Sequence, residues 1–107
     1  MRHITAPELA DWLADGSRPQ PQLLDVRETW EYETCHIAGS VQMPMNSVPE
    51  RHAELDEDTP IVCICHHGMR SAQVAAFLER CGYPDVINLT GGVHAWAQQV
   101  DTTMPTY

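Results

Sequence analysis

Apolar positions along the chain fall into short runs separated by amphipathic stretches. Gln22 to Val26, Ile61 to Ile64 and Asp85 to Leu89 are the runs. Short, nearly unbroken apolar runs predict strands covered on both faces, as in a parallel sheet. Between them, apolar residues recur at helical spacing. Leu9, Trp12 and Leu13 share one face of a helix that Thr5-Ala6-Pro7-Glu8 opens as a capping box and Gly16 closes. Val74, Ala75, Phe77 and Leu78 share a face of a helix over Ser71 to Arg80, ended by Gly82 and Pro84. Gly91-Gly92 turns the chain into a last helix that runs through Trp96 to about Gln99. Weaker signals predict a short strand at Arg2 to Ile4 and a helical turn near Trp30. They also predict a brief strand over Val41 to Met43, stopped by Pro44, and a polar helix from an Asn46 cap to Leu55. Asp101 to Tyr107 reads as a polar tail.

Strands alternating with helices predict an α/β fold, with a parallel sheet covered on both faces and right-handed crossovers. Ligands of such sheets bind beyond the carboxyl ends of the strands. That rule directs attention to the loop after Ile64.

Composition narrows the class. A chain of 107 residues, 43% hydrophobic and 20% charged, is the size of one domain and can bury roughly 60–70% of its unfolded surface. We therefore expect a single domain over 1–107. The longest apolar run, Ile61 to Cys65, is far short of the ~20 residues of a spanning helix. The start has no continuous apolar core and carries acids early, unlike a secretory signal. The expected location is the cytoplasm. Six arginines, no lysine and fifteen acids give a net charge of −9. That balance argues against nucleic acid and against an anionic membrane as partners. It fits a protein kept monomeric by its charge. The cysteines are Cys35, Cys63, Cys65 and Cys81. Their spacing lacks paired CxxC knuckles, and Cys63, Cys65, His66 and His67 lack matching ligands at a second zinc-site spacing. Free thiols in a reducing compartment follow.

The segment Cys65-His66-His67-Gly68-Met69-Arg70-Ser71 joins a buried strand to a helix N-terminus. First-turn amides have no partner within their helix, and the helix dipole adds about half a positive charge there. Arg70 adds a cation that does not titrate. Gly68 permits the curvature that lets several amides face one centre. Together these features form an anion cradle beside Cys65 and favour its thiolate as nucleophile. His66, His67 and Met69 are placed at the mouth of the site, where they tune donor and acceptor choice. Asp25 and Arg27, at the end of a strand, are candidates to buttress the loop.

At these residues the chain resembles the single-domain rhodaneses, which are sulfurtransferases. Leu23-Leu24-Asp25-Val26-Arg27 is similar to the family's second-strand signature. Glu31-Tyr32, then His36-Ile37-Ala38-Gly39-Ser40 and Met43-Pro44, resemble its central block. Cys65 to Ser71 resembles the active-site loop, and Leu89-Thr90-Gly91-Gly92 with Trp96 the closing motif. The resemblance implies a three-layer α/β/α fold with a five-stranded parallel sheet in the order 3-2-4-5-1. It implies a Cys65 persulfide, charged by thiosulfate or a related donor and discharged to cyanide, a thiol or a protein acceptor. Loop amides would stabilise the persulfide, and neither metal nor organic cofactor is implied.

Two other functions share this fold. Cell-cycle dual-specificity phosphatases and some arsenate reductases of this fold carry C-x5-R, whereas here the spacing is C-x4-R, a smaller cradle better sized for sulfur than for phosphate. Catalytically idle binding modules commonly lack the cysteine that this chain keeps, although a persulfide relay docking to another enzyme would keep it too. One departure is Cys35, where the family usually has glycine. If that glycine serves a special backbone conformation, the turn near His36 must differ. Cys35 is read as an incidental loop cysteine, the alternative being a second thiol that forms a disulfide with Cys65 and switches activity off. Cys63, Cys81, Trp12 and Trp96 are read as packing residues.

Overall fold

The structure, a computed structural model, describes residues 1–107. Its centre is a five-stranded sheet of β1 (Arg2–Ile4), β2 (Gln22–Asp25), β3 (Val41–Gln42), β4 (Ile61–Ile64) and β5 (Val86–Leu89). Every neighbouring pair is parallel, and the order across the sheet is β1-β5-β4-β2-β3. Read from the other edge this is 3-2-4-5-1, the expected order. All four residues of β4 and of β5 are buried, because helices cover both faces of the sheet.

Two apolar clusters form the layers. On one face, Leu23, Val62, Ile64, Ile87 and Leu89 of the sheet meet Leu9 and Trp12 of α1 (Ala6–Ala14) and Val93 and Trp96 of α5 (Gly92–Gln99). On the other, Leu24, Ile61, Cys63 and Val86 meet Val74, Ala75 and Leu78 of α4 (Met69–Arg80). Val48 of the short α3 (Val48–Arg51) closes that side. Alternate β4 residues thus face opposite layers, which is why this strand is apolar throughout. The remaining helix, α2 (Thr29–Thr34), follows the carboxyl end of β2.

The capping box is present: the Glu8 amide donates to Thr5 Oγ1 and the Thr5 amide donates to Glu8 Oε1. Several local expectations are corrected. Helix α1 ends at Ala14 with an extended Asp15 as its cap, and Gly16 has no positive φ. Asn46 does not cap a continuous helix. It sits inside a 3-10 turn (Met45–Ser47), and α3 is followed by a second such turn (His52–Glu54). Helix α4 starts at Met69, two residues early, which places Arg70 in its first turn. Cys81 is exposed rather than packed, whereas Cys63, Trp12 and Trp96 are buried. No helix is long and apolar enough to cross a membrane.

The register decides what can meet. Asp25 pairs with Ile64, and Cys63 pairs with Asn88. The carboxyl ends of β2, β4 and β5 therefore lie side by side, with Cys65 one residue beyond its strand.

Candidate active site

Gly68 is the N-cap of α4, with φ of 104°, a conformation that glycine adopts without steric cost. The turn it makes folds the loop back, so that its amide donates to Cys65 Sγ at 3.0 Å. Ser71 Oγ, fully buried in the first turns of α4, lies 3.3 Å from the same sulfur. It also lies 2.6 Å from Asn88 Oδ1. A serine hydroxyl has one proton, so Asn88 Oδ1 and Cys65 Sγ are alternative acceptors for it, with the shorter contact to Asn88. Asn88 Nδ2 donates to Gly68 O at 3.2 Å, which fixes the amide orientation and ties the loop to β5. Cys65 itself is only 1% exposed.

Glu31, on the inner side of α2, faces the loop from across the site. Arg70 Nη1 and Nη2 donate to its two carboxylate oxygens at 2.7 and 2.9 Å. Those bonds, opposed by burial and helped by the Glu28 amide and the Tyr107 hydroxyl, hold the Glu31 carboxyl down at about 2. The Arg70 guanidinium is held more firmly charged by the same bonds, against burial, with smaller contributions from the charges of Glu31 and Cys65. Arg70 is thus close to the thiol, but its charge is already paired. The free cation expected in the cradle is a neutral ion pair instead.

Behind this pair lies a second one. Asp25 and Arg27 are both fully buried, and Arg27 Nη2 donates to Asp25 Oδ2 at 2.6 Å, while Nε reaches Oδ1 at 2.9 Å. Burial opposes the Arg27 charge, but the bonds to Asp25 and Tyr107 outweigh it and raise its pKa. The other Arg27 donors hold Cys35 O at 2.6 Å, Glu31 O at 3.3 Å and Tyr107 Oη at 2.9 Å. Asp25 and Arg27 therefore brace the 31–35 segment directly. They reach the Cys65 loop through Glu31 and Arg70, and through Tyr107. No buried side-chain nitrogen or oxygen lacks a partner, as a buried polar network requires.

Cys35 has an extended backbone, φ −165° and ψ 148°, which any residue adopts. That conformation makes no demand for glycine at this position. Its sulfur faces Arg27 Nη1 at 3.9 Å, and all four cysteines are free. The C-terminal residues are not a detached polar tail. Tyr107 Oη accepts from Arg27 and donates to Glu31 Oε2 at 2.8 Å, and its ring stacks on His66 at 4.2 Å between centroids. Burial, eased by the Arg27 bond, pushes the Tyr107 hydroxyl up to about 12.

Helix α5 holds the loop from its other side. The Val93 amide donates to Cys65 O at 2.9 Å and the His94 amide to His66 O at 3.1 Å. Gly92, at φ of 57°, makes this approach possible, because a Cβ there would collide with both carbonyl oxygens. The approach brings His94 beside His66 and His67, and a ligating atom from each of the three lies within 4.8 Å of the others. Met69 is exposed at the outer edge of the loop.

Sequence reasoning left four residues of this site without a role: Glu31, Asn88, His94 and Tyr107. Asn88 carried a usable signal, a polar side chain inside an apolar strand. Glu31 was visible only as a motif letter, and the other two are joined to the loop by tertiary contacts alone.

A parallel α/β sheet with a cysteine at the carboxyl end of its central strand, wrapped onto a helix N-terminus, defines the class of site. The chain belongs to the family described as the rhodanese-like domain, whose model matches residues 5–99. It is 37% identical over 106 residues to a "Probable adenylyltransferase/sulfurtransferase MoeZ" of Mycobacterium tuberculosis. That match covers 97% of this chain but only 26% of MoeZ, so the chain spans about a quarter of that relative. It is 36% identical to a "Thiosulfate sulfurtransferase GlpE" of Pseudomonas paraeruginosa, over 85% of this chain and 80% of the relative. The crystal structure of a rhodanese-like domain protein from Staphylococcus aureus superposes with a TM-score of 0.82 at 34% identity, covering 90% of this chain and 91% of that one.

Proposed function

We propose that the protein is a sulfurtransferase that carries a sulfane sulfur as a persulfide on Cys65, working as one domain over 1–107. Similarity to relatives named as sulfurtransferases supports sulfur transfer in general. The resemblance to GlpE favours thiosulfate as donor. In the first half-reaction the Cys65 thiolate attacks the outer sulfur of thiosulfate. A new S–S bond forms to Cys65 as the old one breaks, and sulfite leaves with its electron pair. In the second, the nucleophilic carbon of cyanide, or an acceptor thiolate, takes the terminal sulfur, and the electron pair of the breaking bond returns to Cys65. Neither metal nor organic cofactor takes part in these steps.

The observation that carries this reading is the Gly68 amide on Cys65 Sγ at 3.0 Å, at the N-terminus of α4. It provides a preorganised dipole where negative charge resides on sulfur. The low exposure of Cys65 adds a size argument, because a donor that delivers a single atom enters a tight cradle more readily than a bulky ester. Gly68 and Ser71 contact the reacting sulfur, His66, His67, Met69 and Arg70 belong to the same loop and helix start, and Asp25 and Arg27 position the segment that holds Arg70.

Intact-mass measurement after incubation with thiosulfate, with Cys65→Ala in parallel, tests the proposal. The expected result is a gain of one sulfur atom, removed by cyanide or a reducing thiol and absent in the variant. An equal gain in both proteins would dismiss Cys65 as the carrier. No gain in either, with thiosulfate, mercaptopyruvate and a protein persulfide tried in turn, would dismiss sulfur transfer.

A further inference from the structure

The sulfur-transfer steps leave one gathering of side chains unused. His66 and His67 leave the loop side by side, with ring centroids 4.2 Å apart. His94, from the first turn of α5, lies 4.9 Å from the His67 ring and 6.0 Å from that of His66. All three reach solvent, and no carboxylate belongs to the group.

We propose that His66, His67 and His94 form a binding site for a late divalent transition-metal cation, with zinc as its type, at the outer face of the Cys65 loop. Three imidazoles leave a fourth, open position for water or a small anion. The nitrogens of a tetrahedral zinc site lie about 3.3 Å apart, from zinc–nitrogen bonds of about 2.0–2.1 Å. The separations here, within 4.8 Å, close to that value by side-chain rotation alone. The backbone is already fixed, because the His94 amide is bonded to His66 O at 3.1 Å and Gly92 lets α5 approach the loop. The ligand set is all nitrogen, a borderline donor type that suits zinc, copper(II), nickel or cobalt over magnesium or calcium. Each imidazole adds no charge, so the bound cation keeps its full double charge. Its open position then favours anions beside a loop that is itself built to hold one.

The experiment is a titration of the untagged full chain with Zn²⁺ by calorimetry and with Co²⁺ by visible absorption. The variants are His94→Ala, His94→Gln, His67→Ala and the double variant Cys65→Ser/Cys81→Ser. Circular dichroism of each checks folding, and His94→Gln retains a polar side chain of similar size should His94→Ala fail to fold. The expected result is one equivalent of either metal. Cobalt should show tetrahedral d–d bands without thiolate charge transfer. Affinity should fall more than about tenfold in each histidine variant and hold in the cysteine variant. Absence of saturable binding, binding indifferent to His94, or binding lost with the cysteines would each overturn the proposal. The readout is metal affinity, so it stands or falls apart from the sulfur-transfer proposal.

Discussion

Replacing Glu31 by glutamine removes the negative charge that pairs with Arg70 while keeping the shape of the side chain. The carboxylate accepts two bonds from Arg70, one from the Glu28 amide and one from Tyr107. Glutamine keeps one acceptor oxygen and turns an NH₂ group toward donors, so about half of that set is lost. The charge itself sets the magnitude. The Glu31 carboxyl is held at about 2, against an ordinary value of 4.5. At about 1.36 kcal/mol per pH unit, this difference bounds its contribution at about 3 kcal/mol. Arg70 is 35% exposed on its side chain, so water screens the pair and about 2 kcal/mol is the better expectation. The sign follows from the direction. A carboxyl depressed in the folded state contributes in full above its unfolded value near 4.5, and loses that contribution as pH falls toward 2. Urea unfolding of the wild type and Glu31→Gln should therefore differ by about 2 kcal/mol near pH 7 and converge near pH 2. A difference of the same size at both pH values would refute the electrostatic reasoning and assign the effect to packing. A difference below about 0.5 kcal/mol near neutrality would mean that solvent already cancels the pair.

Two further substitutions probe the frame. Asp25→Ala leaves the Arg27 guanidinium buried without its counter-charge, and both side chains are 0% exposed. Chemical denaturation should show a loss of about 3–5 kcal/mol, and one below about 1 kcal/mol would mean that water reaches the guanidinium. Gly92→Ala drives a Cβ into the carbonyls of Cys65 and His66 at a positive φ, which should cost about 3 kcal/mol or more. Unchanged stability together with unchanged sulfur loading would show that α5 can retreat from the loop without consequence.

What could be read beforehand follows from the range of the interactions. The capping box joins Thr5 to Glu8, so its chemistry lies within one turn. Strand β4 is legible because both faces are covered, which leaves an apolar run with no alternation. Helix α4 was legible in its body, yet its start moved to Met69 because Gly68 caps it in the left-handed region. The stretch around Asn46 runs instead as three successive short turns, too brief for any periodicity to reveal. The partner of Arg70 lies 39 residues away, and the Tyr107 contact with Glu31 spans 76. Nothing local marks such pairs. His66 and His67 were visible as neighbours, but only the approach of α5 at Gly92 brings His94 to them.

The pairing of the arginines changes what the site can recognise. Arg27 is committed to Asp25 and Arg70 to Glu31, so the four charges nearest the loop sum to zero in a chain of net charge −9. Stabilisation of an anionic sulfur then falls to fixed dipoles, the Gly68 amide and the N-terminus of α4. Dipoles of this kind are neither titrated nor neutralised by a neighbouring acid, and they act over a short range that suits one atom held at 3.0 Å. Phosphoryl chemistry asks for more. A phosphate ester presents several oxygens, and its recognition relies on an arginine fork free to meet two of them at once. Here both arms of Arg70 already lie on Glu31. To bind phosphate, Arg70 would have to leave that buried carboxylate without its counter-charge, a cost that sulfur transfer avoids. The same contact that removes a free cation from the cradle therefore favours a single-sulfur cargo, a discrimination independent of loop length.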